Sequence, residues 1–193
     1  MASPAKKFYT PEEYLAYEAT ADHRSEYFHG EIYAMAGGSA NHNQIVVNLV
    51  VALETAFERK PCRVFANDMR LLVKRDGLYT YPDIVVICGR IEFAPGRTDT
   101  VTNPTLIIEV WSESTKDYDR GSKFAIYRQL PTLQEYVMID QARVYVESFR
   151  RVEGAKWLLE SYEQREDQLQ LHSLELELPL HKIYNKVDWQ VEG

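Results

Sequence analysis

Between residues 41 and 58, Ile45, Val46, Leu49, Val50, Leu53 and Phe57 recur at the three- and four-residue spacing of a helix with one apolar face. This pattern predicts the main core helix. A shorter helix is predicted over about residues 11–19, where Thr10 offers a capping hydroxyl, Pro11 fits the first turn, and Glu12 and Glu13 suit the positive helix end. Ser25–Phe28 and Glu31–Met35 read as two strands joined through His29-Gly30, a connection short enough for a hairpin.

Past Pro61 the texture turns to β. Cys62–Phe65 and Met69–Val73 are short apolar or alternating runs, and Asp76-Gly77 marks a turn. Ile84–Cys88 and Thr105–Trp111 are continuous apolar runs, as expected for strands covered on both faces, and the second has one carboxylate, Glu109, inside it. Gly89 to Pro104 reads as loop, Asp119 to Leu130 as a helix ended by Pro131, and Tyr136–Ile139 as another buried strand. Beyond Asp140, the segments Arg143–Phe149, Lys156–Tyr162, Gln168–Leu171 and Leu174–Leu178 alternate apolar with polar residues, the signature of an antiparallel meander with one wet face. No stretch resembles a flexible linker. The expected organisation is one domain over residues 1–193, with a core at about 22–140 and C-terminal strands at about 141–180.

Composition narrows the class. With 45% hydrophobic and 26% charged residues in a chain of 193, this is the soluble globular mixture, which excludes a disordered tail, a collagen-like chain and a coiled-coil rod. Lysine and arginine number 22 against 29 acidic residues, for a formal charge of −7. Such a surface does not draw in nucleic acid at long range, so any phosphate contact must come from a local cluster such as Lys116, Arg120, Lys123 and Arg128. The two cysteines, Cys62 and Cys88, both lie in apolar runs and read as small buried hydrophobes. No stretch approaches the roughly 18 apolar residues of a membrane span, and the N-terminus lacks a signal-peptide pattern, so a soluble, cytoplasmic protein is expected with no membrane partner.

Two carboxylates bear on chemistry. Asp83 follows Pro82 at the head of Ile84–Cys88, and Glu109 lies within Ile107-Ile108-Glu109-Val110. A carboxylate in such a strand is costly to bury unless paired, protonated or bound to a cation. If the two strands are neighbours, Asp83 and Glu109 converge, and two carboxylates suit Mg²⁺, which takes oxygen ligands and keeps several waters. Taken alone, Asp83 is most simply a strand-start residue exposed at a sheet end, and Glu109 half of a structural ion pair. Lys123 and Tyr127, four apart, share a helix face that can reach back to the carboxylates, although a lone lysine is ordinarily solvated.

These residues fall in longer motifs. Tyr81-Pro82-Asp83, Ile107-Ile108-Glu109-Val110, the run Ser112-x-Ser114-Thr115-x-x-Tyr118-Asp119-Arg120-Gly121-x-Lys123-x-x-x-Tyr127-Arg128 and Glu135-Tyr-Val-Met-Ile-Asp140, with Gly30-Glu31 and His42 upstream, resemble the Uma-two family. That family consists of restriction-endonuclease-like proteins of the PD-(D/E)XK nuclease superfamily. The resemblance covers roughly residues 10 to 180, and its most specific part is 109 to 127.

It implies an α/β (α+β) fold: a restriction-endonuclease-like core with a central mixed β-sheet flanked by helices, to which the antiparallel C-terminal meander is added. The implied activity is metal-dependent endonucleolytic hydrolysis of DNA phosphodiester bonds. Asp83 and Glu109, with the Val110 carbonyl, would hold one or two Mg²⁺ (or Mn²⁺) ions, which activate water and neutralise charge developing on phosphate. Lys123 would orient that water or stabilise the oxyanion, and Glu31 would complete the catalytic acidic set from the hairpin. His42, near a helix start and expected to be neutral, would contact substrate together with Arg120 and Tyr127. The chain departs from the superfamily pattern at Trp111, where a strand lysine is expected, and at Glu113, which replaces the family's usual proline and adds negative charge. Two rivals stay open: a catalytically inactive nuclease fold serving as a binding or assembly module, and a hydrolase of another phosphoester. A homodimer would suit an enzyme cutting both strands, and the aromatic and leucine content of the C-terminal strands allows one.

Overall fold

The structure is a computed structural model and describes residues 7–35, 37–75, 77–112 and 118–189. Glu113 and Lys116, singled out above, lie outside the described residues. Helix α1 (Pro11–Glu18) is closed at its start by Thr10 and Glu13, whose side chains cap each other's backbone N–H groups. It leads to the hairpin β1 (Ser25–Phe28) and β2 (Glu31–Ala34), then to α2 (Ala40–Phe57), capped by Ser39. There follow β3 (Cys62–Ala66), β4 (Arg70–Val73), β5 (Leu78–Thr80), β6 (Ile84–Cys88), β7 (Thr100–Val101) and β8 (Leu106–Trp111). A π-helical turn, Tyr118–Lys123, runs into the short helix α3 (Phe124–Tyr127). The chain then forms β9 (Glu135–Asp140), β10 (Val146–Glu153), β11 (Lys156–Tyr162), β12 (Gln168–Leu171), β13 (Leu176–Pro179) and α4 (Leu180–Ile183).

These strands make two sheets and a ribbon, a mixed α+β architecture with helices on the sheet faces. The larger sheet has the order β11-β10-β9-β8-β6-β3, antiparallel except for the parallel pair β8 and β9. The smaller has the order β2-β1-β5-β4-β7, and β12 and β13 form a two-stranded ribbon. Alternation along β6 and β8 explains the layering, because successive side chains point to opposite faces. Ile84, Val86, Leu106, Ile108 and Val110 pack with Ile45, Leu49 and Leu53 of α2, while Val85, Ile87, Ile107 and Trp111 pack with Leu71, Val73 and Leu78 from the smaller sheet. The central strands are therefore buried on both faces, which is why their sequences lack alternation.

Three expectations need correction. The segment from Asp119 to Leu130 is not one regular helix; its first turn is π-helical and its regular part is four residues long. The C-terminal strands are not one meander. β10 and β11 extend the large sheet, whereas Leu169, Leu171 and Leu178 of the β12–β13 ribbon cover the core beside α2, so the core itself accounts for much of their apolar content. Cys62 and Cys88 are bonded to each other, not separately buried. Antiparallel pairing of β3 with β6 sets them directly opposite, 4.0 Å apart at Cα, and two cysteines suffice once register juxtaposes them.

The passage from β5 to β6 carries the chain from the smaller sheet to the larger, through Tyr81-Pro82-Asp83. Tyr81 anchors it. Its hydroxyl accepts from Arg70 Nε at 2.8 Å and donates to Glu18 Oε1 at 3.0 Å, and both charged partners are buried. Glu18 Oε1 also accepts the Ser25 N–H, so α1, β1 and β4 meet at one phenol. A buried arginine and glutamate are stable here because each finds hydrogen-bonding partners. No described helix is long and apolar enough to cross a membrane.

Candidate active site

β6 and β8 are antiparallel neighbours with Ile84 opposite Ile108, so continuing the register by one residue sets Asp83 against Glu109. The side chains confirm it. Asp83 Oδ2 accepts the Val110 N–H at 2.8 Å, and the Asp83 N–H reaches Glu109 Oε2 at 3.4 Å. Asp83 is thus held by the backbone of the strand that carries its partner.

The π-helical turn and α3 lie beside the other end of the Glu109 carboxylate. Lys123 Nζ is 3.2 Å and the Tyr127 hydroxyl 3.0 Å from Glu109 Oε1, as residues four apart on one helical face can be. Lys123 is only 7% exposed and serves two further carboxylates, Glu26 of β1 at 3.1 Å and Asp119 at 3.4 Å. Glu26 also accepts from the Thr80 hydroxyl at 2.5 Å, across the β1–β5 pairing. Three carboxylates therefore converge on one ammonium, with Asp83 adjoining.

The electrostatics follow from burial and this imbalance. Burial pushes the Glu109 carboxyl up to about 8; Lys123 opposes that, and the charges of Asp83, Asp119 and Glu26 reinforce it. Burial works against charge on Lys123, but Glu109, Tyr127, Glu26 and Asp119 together hold its pKa well above the ordinary lysine value. Lys123 thus favours its cationic form, and Glu109 holds a proton more readily than an ordinary carboxyl.

His42, in the first turn of α2, has its Nε2 3.1 Å from Asp83 Oδ1. Burial lowers its pKa, yet the bond to Asp83 and the charge of that carboxylate outweigh this and raise it above the usual histidine value. The tendency towards the neutral form expected from the helix start is thus opposed by a carboxylate in direct contact. The ring lies against Gly38, where a Cβ would stand 2.5 Å from His42 Nδ1. Gly38→Ala is expected to push the ring off Asp83 and lower the His42 titration midpoint, read by NMR; an unchanged midpoint would show that Gly38 does not seat the ring.

An open cavity of about 790 Å³ is lined by Asp83, Glu109, Val110, Lys123, His42, Glu26 and Asp119, among others. Three other residues singled out from the sequence are placed elsewhere. Glu31 bonds the Tyr33 hydroxyl at 2.6 Å, and the acidic residue the hairpin presents at Lys123 is Glu26. Arg120 pairs with Glu147 at 2.9 Å, which ties the π-helical turn to β10. Tyr127 is fully buried, so its hydroxyl reaches Glu109 and not the cavity. Trp111, where a strand lysine was expected, is part of the core between the sheets. Glu26 and Asp119 were not singled out, because both faces of β1 are buried and the π-helical turn alters the helical phase.

The donor set suits a hard cation. Asp83 and Glu109 offer carboxylate oxygens at the cavity, and the surrounding carboxylates leave an excess of negative charge. Among the described residues no three or more His, Cys, Asp or Glu side chains stand together as a ready-made metal cage. One or two carboxylates completed by water is the usual arrangement for Mg²⁺.

Comparison with known proteins places this geometry in context. Residues 11–181 match the family model described as "Uma2: Putative restriction endonuclease". Two Synechocystis proteins, sll1609 and slr1290, both described as uncharacterized, are 40% identical over 159 residues and 35% identical over 184 residues. These matches cover 82% of this chain and 90% of the first relative, and 94% and 95% for the second. The fold is similar to a crystal structure from Anabaena variabilis described as "a putative nuclease belonging to DUF820", with a TM-score of 0.74 and 19% identity over 91% of this chain and 97% of that one.

Proposed function

The chain belongs to the Uma2 family, and from that premise we propose that it is a divalent-metal-dependent endonuclease hydrolysing phosphodiester bonds in DNA. One observation carries the reading: Asp83 and Glu109 meet at the cavity on adjacent strands, with Lys123 fixed on the far oxygen of Glu109. Asp83 and Glu109 would hold Mg²⁺ or Mn²⁺, which when bound supplies an activated water and offsets charge on the phosphate oxygens. The chain's own residues do the positioning. Val110 N–H and His42 fix the two oxygens of Asp83, while Lys123 and Tyr127 hold Glu109 Oε1 and leave Oε2 beside Asp83.

A second reading, a nuclease fold used only for binding or assembly, is favoured by one feature: Lys123 is enclosed by three carboxylates. Calorimetric titration of the full chain with Mg²⁺ and Mn²⁺, alongside cleavage of supercoiled plasmid with and without chelator, separates the two. Binding together with chelator-sensitive nicking is expected. No binding at millimolar metal, and no nicking, would overturn the nuclease reading in favour of the module. The proposal includes a homodimer that cuts both strands, whose interface would cover the exposed Leu158 and Leu159 of β11; sedimentation would read the mass of two chains.

A further inference from the structure

The enclosure of Lys123 raises a question of charge. A phosphate approaching the cavity meets Glu26, Asp83, Glu109 and Asp119, and the ammonium among them already contacts three carboxylates. A cation at the mouth is needed to receive it.

Arg24 meets that need. It lines the cavity at the entry to β1, and its side chain is 47% exposed. Two contacts hold it beside the Tyr81-Pro82-Asp83 passage. Its guanidinium lies over the Tyr81 ring, 5.6 Å from the centroid, and its Nε is 3.3 Å from Asp68 Oδ1. The residue before Asp68, Asn67, donates its N–H to the Asp83 carbonyl at 3.1 Å. Asp68 is 77% exposed, so its bond to Arg24 is a weak, solvated one that a phosphate can replace. A planar guanidinium backed by a phenol ring keeps its remaining N–H donors in a fixed fork, the geometry that matches two phosphate oxygens.

Resting on the nuclease reading, we propose that Arg24 receives a backbone phosphate of the DNA substrate, exchanging Asp68 for it, and that Lys123 is confined to positioning Glu109. Asp68 then acts as a competitor for the site. This predicts opposite effects from the two members of one ion pair, whereas a merely structural pair would move both variants the same way.

The test is binding of a fluorescent DNA duplex to the full chain, with Ca²⁺ in place of Mg²⁺, across about 50 to 200 mM salt. Arg24→Ala is expected to weaken binding about tenfold and to make the salt dependence shallower by about one counterion. Arg24→Lys should recover part of the affinity, and Asp68→Asn should tighten binding about two- to fivefold by removing the competing charge. Weakening by both Arg24→Ala and Asp68→Asn, or an affinity and salt slope of Arg24→Ala equal to the wild type, overturns the inference. A wild-type chain that binds and cuts DNA while Arg24→Ala does so equally sinks this inference alone. A wild-type chain that neither binds nor cuts sinks the nuclease reading with it.

Discussion

Asp83→Ala is expected to lower Mg²⁺-supported DNA cleavage at least about a thousandfold, the several kcal/mol that a correctly held cation contributes to the transition state. The side chain has no substitute in its place: one oxygen is fixed by the Val110 N–H and the other faces His42. Asp83→Asn is the more telling variant. Its amide oxygen can keep the Val110 bond while its neutral head no longer attracts a divalent ion. Folding should therefore survive while metal affinity and cleavage fall together. Glu109→Ala should match the loss, since Glu109 is the other carboxylate of the pair. Single-turnover cleavage beside metal titration and thermal unfolding reads all three variants. Cleavage unchanged in both alanine variants would falsify the metal mechanism.

The second large effect is on stability and depends on pH. Burial raises the Glu109 carboxyl from the ordinary 4.5 to about 8. Between those values the folded chain holds a proton that the unfolded chain has released, so folding stability falls as pH rises through that window. The His42 shift has the same sign, since its raised pKa is a stabilisation lost on deprotonation. Glu109→Gln removes the larger contribution. Without divalent metal, this variant should unfold at a higher temperature than the wild type at pH 8, by an amount on the order of a few kcal/mol, and should differ little near pH 4. Each kcal/mol reads as about 2–4 °C in a domain of this size. Mg²⁺ should act in the opposite sense on the wild type, raising its Tm more at pH 8 than at pH 6, because protons and metal compete for one carboxylate. Equal pH slopes for wild type and Glu109→Gln would show that Glu109 is not the proton-holding group.

Much of the fold is legible in the sequence where burial imposes a period. α2 reads directly from its apolar spacing, and Ile84–Cys88 from its unbroken apolar run. The convergence of Asp83 and Glu109 is a matter of register, and a strand-to-strand register is not written in either strand alone. The same holds for Cys62 and Cys88, which local sequence shows only as two small residues in apolar surroundings. The surroundings of Lys123 depend on three remote segments, β1, β8 and the π-helical turn, so a residue that would ordinarily be solvated is instead enclosed. Choosing between Glu26 and Glu31 required knowing that β1 is the inner strand of its hairpin and pairs with β5. Burial cost and helical spacing single out the acidic pair and the helix lysine, and the resemblance adds their roles; only the folded chain shows that Tyr127 is a buried strut and that Arg120 is occupied by Glu147.

The bond between Cys62 and Cys88 has a topological meaning as well as a packing one. The 26-residue separation it spans contains β4, β5 and Asp83, so this stretch becomes a closed ring of covalent chain. Lys74 and Arg75, at the turn between β4 and β5, are exposed on that ring. A protease cutting there would open the ring without dividing the molecule. The two pieces would stay joined through sulfur, with Asp83 and Glu109 on the same piece, until a reductant released the other.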